Sequence, residues 1–401
     1  SLAMVLALVA CGQKDPTPDT PDTPDDPQTK VEYKVAMITD YGDITDQSFN
    51  QTTYEACKAF AEDNSIEFSY FKPAGDNTAD RVAMIEKAVD EGFNVIVMPG
   101  YAFGGAIVEA APEFPDVKFI ALDVAAGDLL ETAVAKAGEA YDYTPENWDL
   151  NKYVDMSNVY CAVYQEELCG YMAGYAAVKL GYKNLGFLGG MSVPAVVRYG
   201  YGFVQGVDAA AADLGLTDVK LNYIYGGQFF GDADITAVMD TWYQGGTEVV
   251  FACGGGIYTS AVDAAKKVGA KVIGVDVDQA GVIANYAGVD GMTVTSAMKG
   301  LYPATYDTLT DVIVNGNWEK YVGKIETLGL VSGTDPEANY VQIPMGDGTQ
   351  WSDSFTQDDY KAMVKDMFDG KITVSNNTSS DVSAADFATV ITVDDQGSIK
   401  G

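Results

Sequence analysis

The chain has 401 residues, of which 47% are apolar, and this length and composition are typical of a globular protein with two sizeable cores. Asp and Glu outnumber Lys and Arg by 58 to 24, so the chain lacks the basic surface that nucleic acid or anionic lipid requires. It contains no histidine, which removes the commonest general base and the commonest zinc ligand. No cysteine pair or dinucleotide motif has the spacing of a metal or cofactor site, so neither is expected.

The first residues resemble the end of an export signal. An apolar run too short to span a bilayer ends in Leu8-Val9-Ala10 and is followed by Cys11 and polar residues. Leu-Val-Ala-Cys resembles the bacterial lipobox, in which the cysteine is lipid-modified and becomes the first mature residue. Residues 1–10 are therefore predicted to be a signal-peptide remnant and Cys11 the lipidation site. The alternative is a buried strand followed by a chance cysteine.

Residues 11–32 are predicted to be an extended tether. They contain DPTPDTPDTPDDPQT, whose prolines hold the chain extended and whose polar residues cannot bury apolar surface. A charged, proline-rich spacer between a lipid anchor and a globular body predicts a protein held at a membrane surface and facing outward.

From Tyr33 onward, short apolar segments alternate with amphipathic helical segments, which predicts repeated βα units and parallel sheets. The first series of candidate strands is YKVAMIT, EFSYFKP, NVIVMPG and KFIALDV. Residues 127–158, rich in Tyr, Glu, Asp and Asn, are predicted to be a connection toward a second lobe that opens with the strand SNVYCAVYQ.

A second series of strands follows, which predicts two doubly wound α/β lobes. Its members are KNLGFLGGM, VKLNYIYGG, EVVFACGGG, KVIGVDVDQ and MTVTSAMKG. The first lobe is assigned to residues 33–155, with part of 290–325 returning to it. The second is assigned to 156–289, with much of 326–401 packing on it. A ligand would bind at the carboxyl ends of the strands, where the lobes face each other.

Polar residues follow the predicted strands at the edge where a ligand would bind. Asp40, Asp123 and Asp276 each end a strand, and the glycines 254–256 follow another. Strand-end carboxylates can accept hydrogen bonds from a ribose diol, although a single aspartate at such a position more often caps a helix or forms a turn. Asp40 and Asp123 also fit the acid and base of a glycosidase, but the sequence does not show their separation.

Aromatic residues stand beside small polar ones in SFN and in GGQFFGD. Phe49 and either Phe229 or Phe230 could stack on a planar ring, or could belong to the core. Asn50 can both donate and accept hydrogen bonds, which suits a purine edge. The glycines of GFLGGM and ACGGGIY predict tight strand-to-helix turns, and Gly255 could let the backbone approach a sugar. The spacing of Cys161 and Cys169 permits a disulfide between them but does not establish one.

Several stretches together resemble one family. They are ITDYGDITDQSFNQ, EELCGYMAGYAA, GFLGGMSVPAVVRYGYGFVQGV, VIGVDVDQ and TSAMKG. Over roughly residues 34–299 the chain resembles the basic membrane protein family of bacterial lipoproteins, the purine nucleoside receptors of ABC importers. The resemblance implies a type I periplasmic-binding-protein fold, in which two Rossmann-like lobes are joined by a hinge.

The resemblance also implies roles for individual residues. A base would lie between Phe49 and Phe229, with Phe230 as the alternative, and Gln228 stands where the family has a serine. The residues implied to hydrogen-bond the base are Asp40, Asn50 and Asp123. The groups implied to hold the ribose are Asp276, Lys299 and the backbone of Gly255.

The sequence therefore predicts a lipid-anchored binding protein, not an enzyme, that captures a purine nucleoside and delivers it to an ABC permease. The expected partners are the nucleoside, the permease and the membrane through Cys11; nucleic acid is not expected, and the protein is expected to be a monomer. The alternatives are a binding protein of the same fold for a sugar or another small metabolite, a nucleoside-cleaving enzyme, and a regulatory or adhesive surface lipoprotein.

Overall fold

The computed structural model describes residues 31–401. The predicted signal-peptide remnant, Cys11 and all but the last two residues of the tether lie outside the described residues. Between residues 31 and 401, no helix has the length and apolar character needed to cross a membrane. Residues 33–401 form one compact unit.

The described chain contains thirteen strands, which are short and mostly apolar. In chain order they are β1 (Lys34–Ile38), β2 (Glu67–Phe71), β3 (Val95–Pro99), β4 (Lys118–Leu122), β5 (Val159–Tyr164), β6 (Asn184–Gly189), β7 (Lys220–Tyr225), β8 (Val249–Cys253), β9 (Lys271–Asp276), β10 (Thr293–Lys299), β11 (Ile325–Leu328), β12 (Val341–Gln342) and β13 (Thr392–Ser398).

Twelve α-helices are interspersed with these strands in residues 31–401. They are α1 (Phe49–Asn64), α2 (Thr78–Asp90), α3 (Gly104–Ala110), α4 (Ala126–Lys136), α5 (Leu150–Tyr153), α6 (Glu166–Lys179), α7 (Pro194–Asp213), α8 (Ala233–Gln244), α9 (Tyr258–Val268), α10 (Ala280–Ala287), α11 (Leu301–Leu309) and α12 (Gln357–Phe368). Helix α11 continues into a π-helical turn at Thr310–Val314.

The strands form two sheets that confirm the predicted doubly wound α/β fold. The first has the order β11-β5-β4-β3-β1-β2 and is parallel throughout. The second has the order β12-β10-β9-β8-β6-β7-β13, in which only β12 is antiparallel. Their strand order reverses between β1 and β3 and between β6 and β8. Ligands of such sheets bind at the carboxyl ends of the strands beside this reversal.

One predicted segment boundary differs from the structure. Strand β5 pairs with β4 in the first sheet, so the chain enters the second lobe after Tyr164, not at residue 156. An apolar run buried on two faces does not reveal in which sheet it pairs. Strand β10 pairs with β9 in the second sheet, as its place in the second series predicts, and the part of residues 290–325 that returns to the first lobe starts with α11.

Helix α4 occupies the beginning of the segment predicted to be a connection, residues 127–158. Its apolar positions Leu129, Leu130, Ala133 and Val134 are buried, so this part of the segment contributes to the core of the first lobe. The prediction was wrong for residues 127–136, because the short apolar stripe of α4 is obscured by the polar residues that follow it.

The chain crosses between the lobes after β5, after β10 and after β11, and backbone hydrogen bonds join these crossings. Gln165 N donates to Leu328 O at 3.0 Å, Gly300 N to Tyr340 O at 2.7 Å, and Tyr340 N to Gly329 O at 3.0 Å. Three adjacent crossings constitute the hinge of the predicted fold.

The four cysteines in residues 31–401 are buried and unpaired, so Cys161 and Cys169 form no disulfide. Cys161 lies on β5 in the first lobe, whereas Cys169 lies on α6 in the second. The four side chains are fully buried and serve as small apolar residues of the cores.

Candidate ligand-binding site

A cavity of about 420 Å³ lies between the carboxyl ends of the two sheets, a volume within the range of small-molecule sites. Every residue that was predicted to contact the ligand lines this cavity, whatever its distance along the chain. These residues are Asp40, Phe49, Asn50, Asp123, Phe229, Gly255, Asp276 and Lys299. The structure therefore brings the predicted set together, and the binding role of each member stays a prediction.

Asp46 organises the turn from β1 into α1. Its Oδ1 accepts hydrogen bonds from the backbone N–H groups of Ser48 and Gln51, and its Oδ2 accepts one from the N–H of Asn50. Burial raises the pKa of Asp46, although these hydrogen bonds favour the charged form and oppose the rise. Asp46 therefore satisfies the free N–H groups at the start of α1 and so fixes the direction of Phe49 and Asn50.

Asp40 and Asn50 are bound to each other inside this turn. Asp40 Oδ1 accepts from the N–H groups of Tyr41 (2.5 Å) and Gly42 (2.7 Å) and from Asn50 Nδ2 (3.0 Å). Asn50 Nδ2 also donates to Asp46 Oδ2 at 3.0 Å. Both amide protons of Asn50 are thus used within the turn, and its remaining capacity toward a ligand is that of an acceptor on Oδ1.

Lys299 lies at the end of β10 and joins carboxylates of both lobes. Its Nζ is 2.5 Å from Asp123 Oδ2, 3.3 Å from Glu166 Oε1 and 4.0 Å from Asp276 Oδ1, and its side chain is 3% exposed. Glu166 Oε2 in turn accepts from Arg198 Nε at 2.7 Å. Two cations therefore share three buried carboxylates at one end of the cavity, where each charge has a partner.

The pKa values of Asp123 and Glu166 are shifted in opposite directions. Burial raises the pKa of Asp123 to about 6, despite the opposing effect of Lys299. Burial alone would also raise the pKa of Glu166, but Arg198 and Lys299 outweigh it, and the pKa is lowered. Asp123 Oδ1 is buried and accepts no hydrogen bond from any described residue. Since Asp123 lines the cavity, a donor on a ligand could satisfy this oxygen.

Asp123 and Asp276 occupy corresponding places in the two lobes, since Asp123 directly follows the fourth strand of the first series and Asp276 is the last residue of the fourth strand of the second. Both have left-handed backbones. Their φ angles are 59° and 66°. Such a conformation is unfavourable for a residue with a Cβ, costs on the order of 1 kcal/mol or more, and is concentrated at functional sites. Asp276 is held further by Ser48 Oγ, 2.5 Å from Oδ2, and by the Tyr199 hydroxyl, 2.9 Å from Oδ1.

Phe229 packs its ring on two glycines of the second lobe. A Cβ on Gly190 would lie 2.5 Å from Phe229 Cε1, and one on Gly254 would lie 2.6 Å from Cδ1, so only glycine leaves room for the ring at these positions. The Tyr41 ring of the first lobe faces Phe229 with centroids 6.4 Å apart. Phe230 also lines the cavity but is 59% exposed, which places it at the mouth.

Two helices position Glu166 and Arg198 by packing unusually close. A Cβ on Gly170 of α6 would overlap the carbonyl oxygen of Tyr199, and one on Gly202 of α7 would overlap that of Glu167. These glycines let α6 and α7 pack closely, which brings the first turns of both helices to the cavity.

Several residues of the site were not predicted from the sequence. They are Tyr41, Tyr101, Asp128, Glu166, Met191, the 193–196 turn, Arg198 and Tyr199. The hydroxyls of Tyr41 and Tyr101 approach Met191 Sδ across the cleft at 3.9 and 3.7 Å. Burial raises the pKa of Asp128 to about 7. The position of Tyr41 between Asp40 and Gly42 in the sequence could have indicated that it belongs to the site. No local sequence pattern indicates that Glu166 pairs with Arg198.

In residues 31–401 no group of His, Cys, Asp and Glu side chains is arranged to hold a metal ion. The cavity is lined instead by aromatic rings, glycines and paired charges, which is the character of a site that binds an organic solute.

Comparison with known proteins identifies the family. A model of the Bmp family, described as ABC transporter substrate-binding protein PnrA-like, matches residues 33–334, which is most of the chain. The chain belongs to the Bmp family. The Bmp chain is thus a substrate-binding protein of an ABC transporter, as the sequence motifs predicted.

Two curated relatives and one solved structure agree with this assignment. The chain is 25% identical over 391 residues to the ABC transporter nucleoside-binding protein BmpA of Lactococcus lactis, covering 93% of this chain and 96% of that protein. It is 26% identical over 322 residues to Basic membrane protein B of Borreliella burgdorferi, covering 77% and 83%. An ABC transporter solute-binding protein from Aeropyrum pernix superposes with a TM-score of 0.64 at 18% identity, covering 87% and 95%, which confirms the fold.

Proposed function

We propose that this Bmp-family protein binds a purine nucleoside between its lobes and delivers it to the permease of an ABC importer. The observation that carries the proposal is one cavity lined by an aromatic ring from each lobe, Phe49 and Phe229, and by a strand-end aspartate from each, Asp123 and Asp276. The relative from Lactococcus lactis, which is named as nucleoside-binding, supports the same ligand class.

The chemistry of the cavity suits the two halves of a nucleoside. Aromatic rings stack on a base, and the buried Asp123 Oδ1 accepts a hydrogen bond from a ring nitrogen or an exocyclic amine. Asp276 and Lys299 hold the ribose hydroxyls, while Asp276 keeps its hydrogen bond from Ser48. The positive φ of Gly255 allows its backbone to approach the sugar.

The charges favour a neutral ligand over a phosphorylated one. The carboxylates that line the cavity are Asp40, Asp46, Asp123, Asp128 and Asp276, and the cations are Lys299 and Arg198, both paired to carboxylates. A phosphate group would meet an excess of negative charge without a free cation. A nucleoside therefore fits this cavity better than a nucleotide.

We further propose that the protein is a monomer held on the outer face of the membrane through lipid on Cys11. The lipobox-like sequence and the proline-rich tether support this location, as does the name of the Borreliella relative, a basic membrane protein. Metabolic labelling with a radioactive fatty acid tests the anchor, since Cys11→Ala should abolish incorporation. Light scattering of the protein in solution tests the monomer.

Calorimetric titration with adenosine, guanosine, inosine and uridine tests the ligand. The expected result is heat of binding with at least one purine nucleoside and weaker or no binding of uridine. Absence of heat with all four would overturn the proposal, and binding of a free sugar instead would identify the alternative ligand class. Chromatography of the bound nucleoside after long incubation should return it intact, and release of free base would reveal an enzyme.

Phe49→Ala is expected to weaken binding of that nucleoside by about 1–3 kcal/mol, because stacking of one base on an aromatic ring contributes this much. Phe368→Ala serves as the control, since Phe368 is 49% exposed on α12 and does not line the cavity. The same titration measures both variants. An unchanged affinity for Phe49→Ala would place this ring in the core alone.

A further inference from the structure

We propose that the segment after α12, residues 371–401, positions the aromatic loop of the binding site, with Lys400 as the positioning residue. We call this segment the arm and residues 226–232 the aromatic loop, which carries Phe229. The proposal rests on the proposed function for its effect on affinity, but the contact between arm and loop is independent of which ligand binds. The arm lies beyond the residues matched by the family model, 33–334.

The arm is fastened along α7, the helix whose first turns supply Arg198 and Tyr199. Gln205 exchanges two hydrogen bonds with the backbone of Ser375, at 2.8 and 3.0 Å, and the Tyr201 hydroxyl donates to Val382 O at 2.9 Å. The Asp208 carboxylate then accepts hydrogen bonds from the backbone N–H groups of residues 389–391 and from the Thr389 hydroxyl. These contacts fix the path of the arm before it reaches the sheet.

The arm next forms β13, which extends the second sheet beside β7. The two strands are parallel, and their pairing runs from Thr392 with Lys220 to Ser398 with Tyr225. β13 is polar and mostly exposed, so it contributes little apolar burial to the core. Its effect is geometric, because it carries the following residues to the carboxyl end of β7, where the aromatic loop begins.

Lys400 then contacts both ends of the aromatic loop. Its backbone and Cβ fill the space that a side chain on Gly227 would need, and Gly227 has a φ of 84°. Its Nζ forms an ion pair with Asp232 and lies 3.5 Å from Asp234 Oδ2. Asp232 also accepts from Gln228 Nε2 at 3.0 Å and caps α8 through the N–H of Ile235.

Phe229 lies between these two fastened ends. Its ring packs on Gly190 and Gly254, and its carbonyl accepts from Gly256 N at 2.8 Å. A loop with both ends fixed loses less conformational entropy when a ligand binds, so the arm preorganises the ring. Lys400 itself does not line the cavity, and it acts on the ligand only through the loop.

Lys400→Ala tests this role, with Lys183→Ala as the matched control. Lys183 forms an ion pair with Asp218 at 3.0 Å near the amino-terminal ends of β6 and β7, at the opposite edge of the same sheet. Lys183→Ala removes one partly exposed ion pair from the second lobe, and Lys400→Ala removes two, with Asp232 and Asp234. Among these pairs, only that of Lys400 with Asp232 touches the aromatic loop. Lys400→Arg, which retains the charge, should behave like the unchanged protein.

Hydrogen exchange of the full chain without ligand is the first readout. Lys400→Ala is expected to speed exchange in residues 226–232, whereas Lys183→Ala and Lys400→Arg leave it unchanged. This result does not depend on the identity of the ligand. It therefore tests whether Lys400 stabilises the aromatic loop even if no nucleoside binds. Unchanged exchange of the loop in Lys400→Ala would overturn the proposal.

Affinity for the best-bound nucleoside is the second readout. Lys400→Ala should weaken binding by about two- to fivefold, the scale of a partly exposed ion pair, with no loss in Lys183→Ala. In a Phe229→Ala background the Lys400→Ala substitution should have no further effect, because the ring that it positions is gone. An equal loss in both backgrounds would mean that Lys400 acts elsewhere. If the unchanged protein binds no nucleoside, the proposed function fails and the exchange result still stands.

Discussion

At the scale of single residues, Glu166 determines how the charges of the cavity are arranged. It is fully buried at the start of α6, and its two oxygens bind Arg198 and Lys299 separately. Arg198 comes from α7 and Lys299 from β10, so one carboxylate fixes two cations that reach the cavity from different elements. A buried charge is stable only with its partners, so the three side chains depend on one another.

Glu166→Ala is expected to lower the free energy of unfolding by about 3–5 kcal/mol, because it leaves two buried cations short of a partner. Glu67→Ala is the control, since Glu67 forms an ion pair with Lys34 at the surface and its side chain is 57% exposed. The Glu67→Ala substitution should lower the free energy of unfolding by less than about 1 kcal/mol. Denaturation by urea measures both, and equal losses would contradict the central role of Glu166.

Asp128 is expected to make stability fall as the pH rises. Its pKa is about 7 in the folded protein, because of burial, and near 3.9 in an unfolded chain, so the folded state holds this proton more tightly. The stabilisation is complete below pH 4 and is lost as the pH rises through 7.

Asp128→Asn keeps the shape of the side chain and removes its ionisation. Between pH 5 and 8, the unchanged protein should lose about 1–3 kcal/mol of unfolding free energy relative to this variant. Urea denaturation at a series of pH values measures the difference. Parallel curves for the two proteins would show that Asp128 does not titrate in this range.

At the scale of elements, the turns after β6 and β8 shape the wall on which Phe229 lies. Gly190 follows β6 and Gly254 follows β8, and these strands are neighbours at the reversal of strand order in the second sheet. The absence of side chains at both positions creates the space for one aromatic ring. The glycines of GFLGGM and ACGGGIY, which were predicted to form tight turns, therefore also leave the space in which the Phe229 ring packs.

Gly190→Ala is expected to displace the Phe229 ring and to weaken nucleoside binding by up to about 1–3 kcal/mol, the contribution of one stacked base. Gly281→Ala is the matched control, because beyond the adjoining backbone of α10 no atom lies within 4 Å of the position of its Cβ. Calorimetric titration compares the two. Unchanged affinity for Gly190→Ala would show that the ring position is not important for binding.

At the scale of the whole molecule, direct hydrogen bonds join the two lobes across the cleft. Ser48 Oγ donates to Asp276 Oδ2 at 2.5 Å, and Gln279 Nε2 donates to Gln47 O at 3.3 Å. Lys299 and Asp123 add an ion pair beside the hinge. The lobes are thus held together by two sets of contacts: the loop before α1 contacts the end of β9 and the residue Gln279 beyond it, and Asp123, after β4, contacts the end of β10. Domain closure of this kind encloses a ligand.

Ser48→Ala is expected to shift the ligand-free protein toward a more open arrangement. A hydrogen bond to a charged group contributes about 1.5–3 kcal/mol, which changes an equilibrium between open and closed forms at least tenfold. Small-angle scattering should show a larger radius of gyration than for the unchanged protein, and a saturating nucleoside should reduce it. Ser157→Ala, at an exposed position in a loop, should give the unchanged curve. Identical curves for both variants would contradict the prediction.

The sequence predicted individual residues that line the cavity, but it did not predict the ion pairs and hydrogen bonds that connect them. Phe49, Asp123 and Asp276 were found because strand ends and helix starts carry local signals, namely apolar runs followed by polar residues. Glu166 and its partners Arg198 and Lys299 are 32 and 133 residues apart along the chain, and no local pattern connects them. Asn50 was expected both to donate to and to accept from a ligand, but neighbouring carboxylates already accept both of its amide protons, which leaves it as an acceptor.

The sequence by itself determined the class of fold, the two series of βα units and which strand ends carry residues that line the cavity, because hydrophobic periodicity and turn residues act locally. Only the tertiary structure decided that β5 belongs to the first sheet, since apolar strands pair according to the packing of the whole core. It also decided which charges meet at Lys299 and that the arm reaches the loop of Phe229. These contacts join residues distant in sequence, and their energies depend on burial, which exists only after the chain has folded.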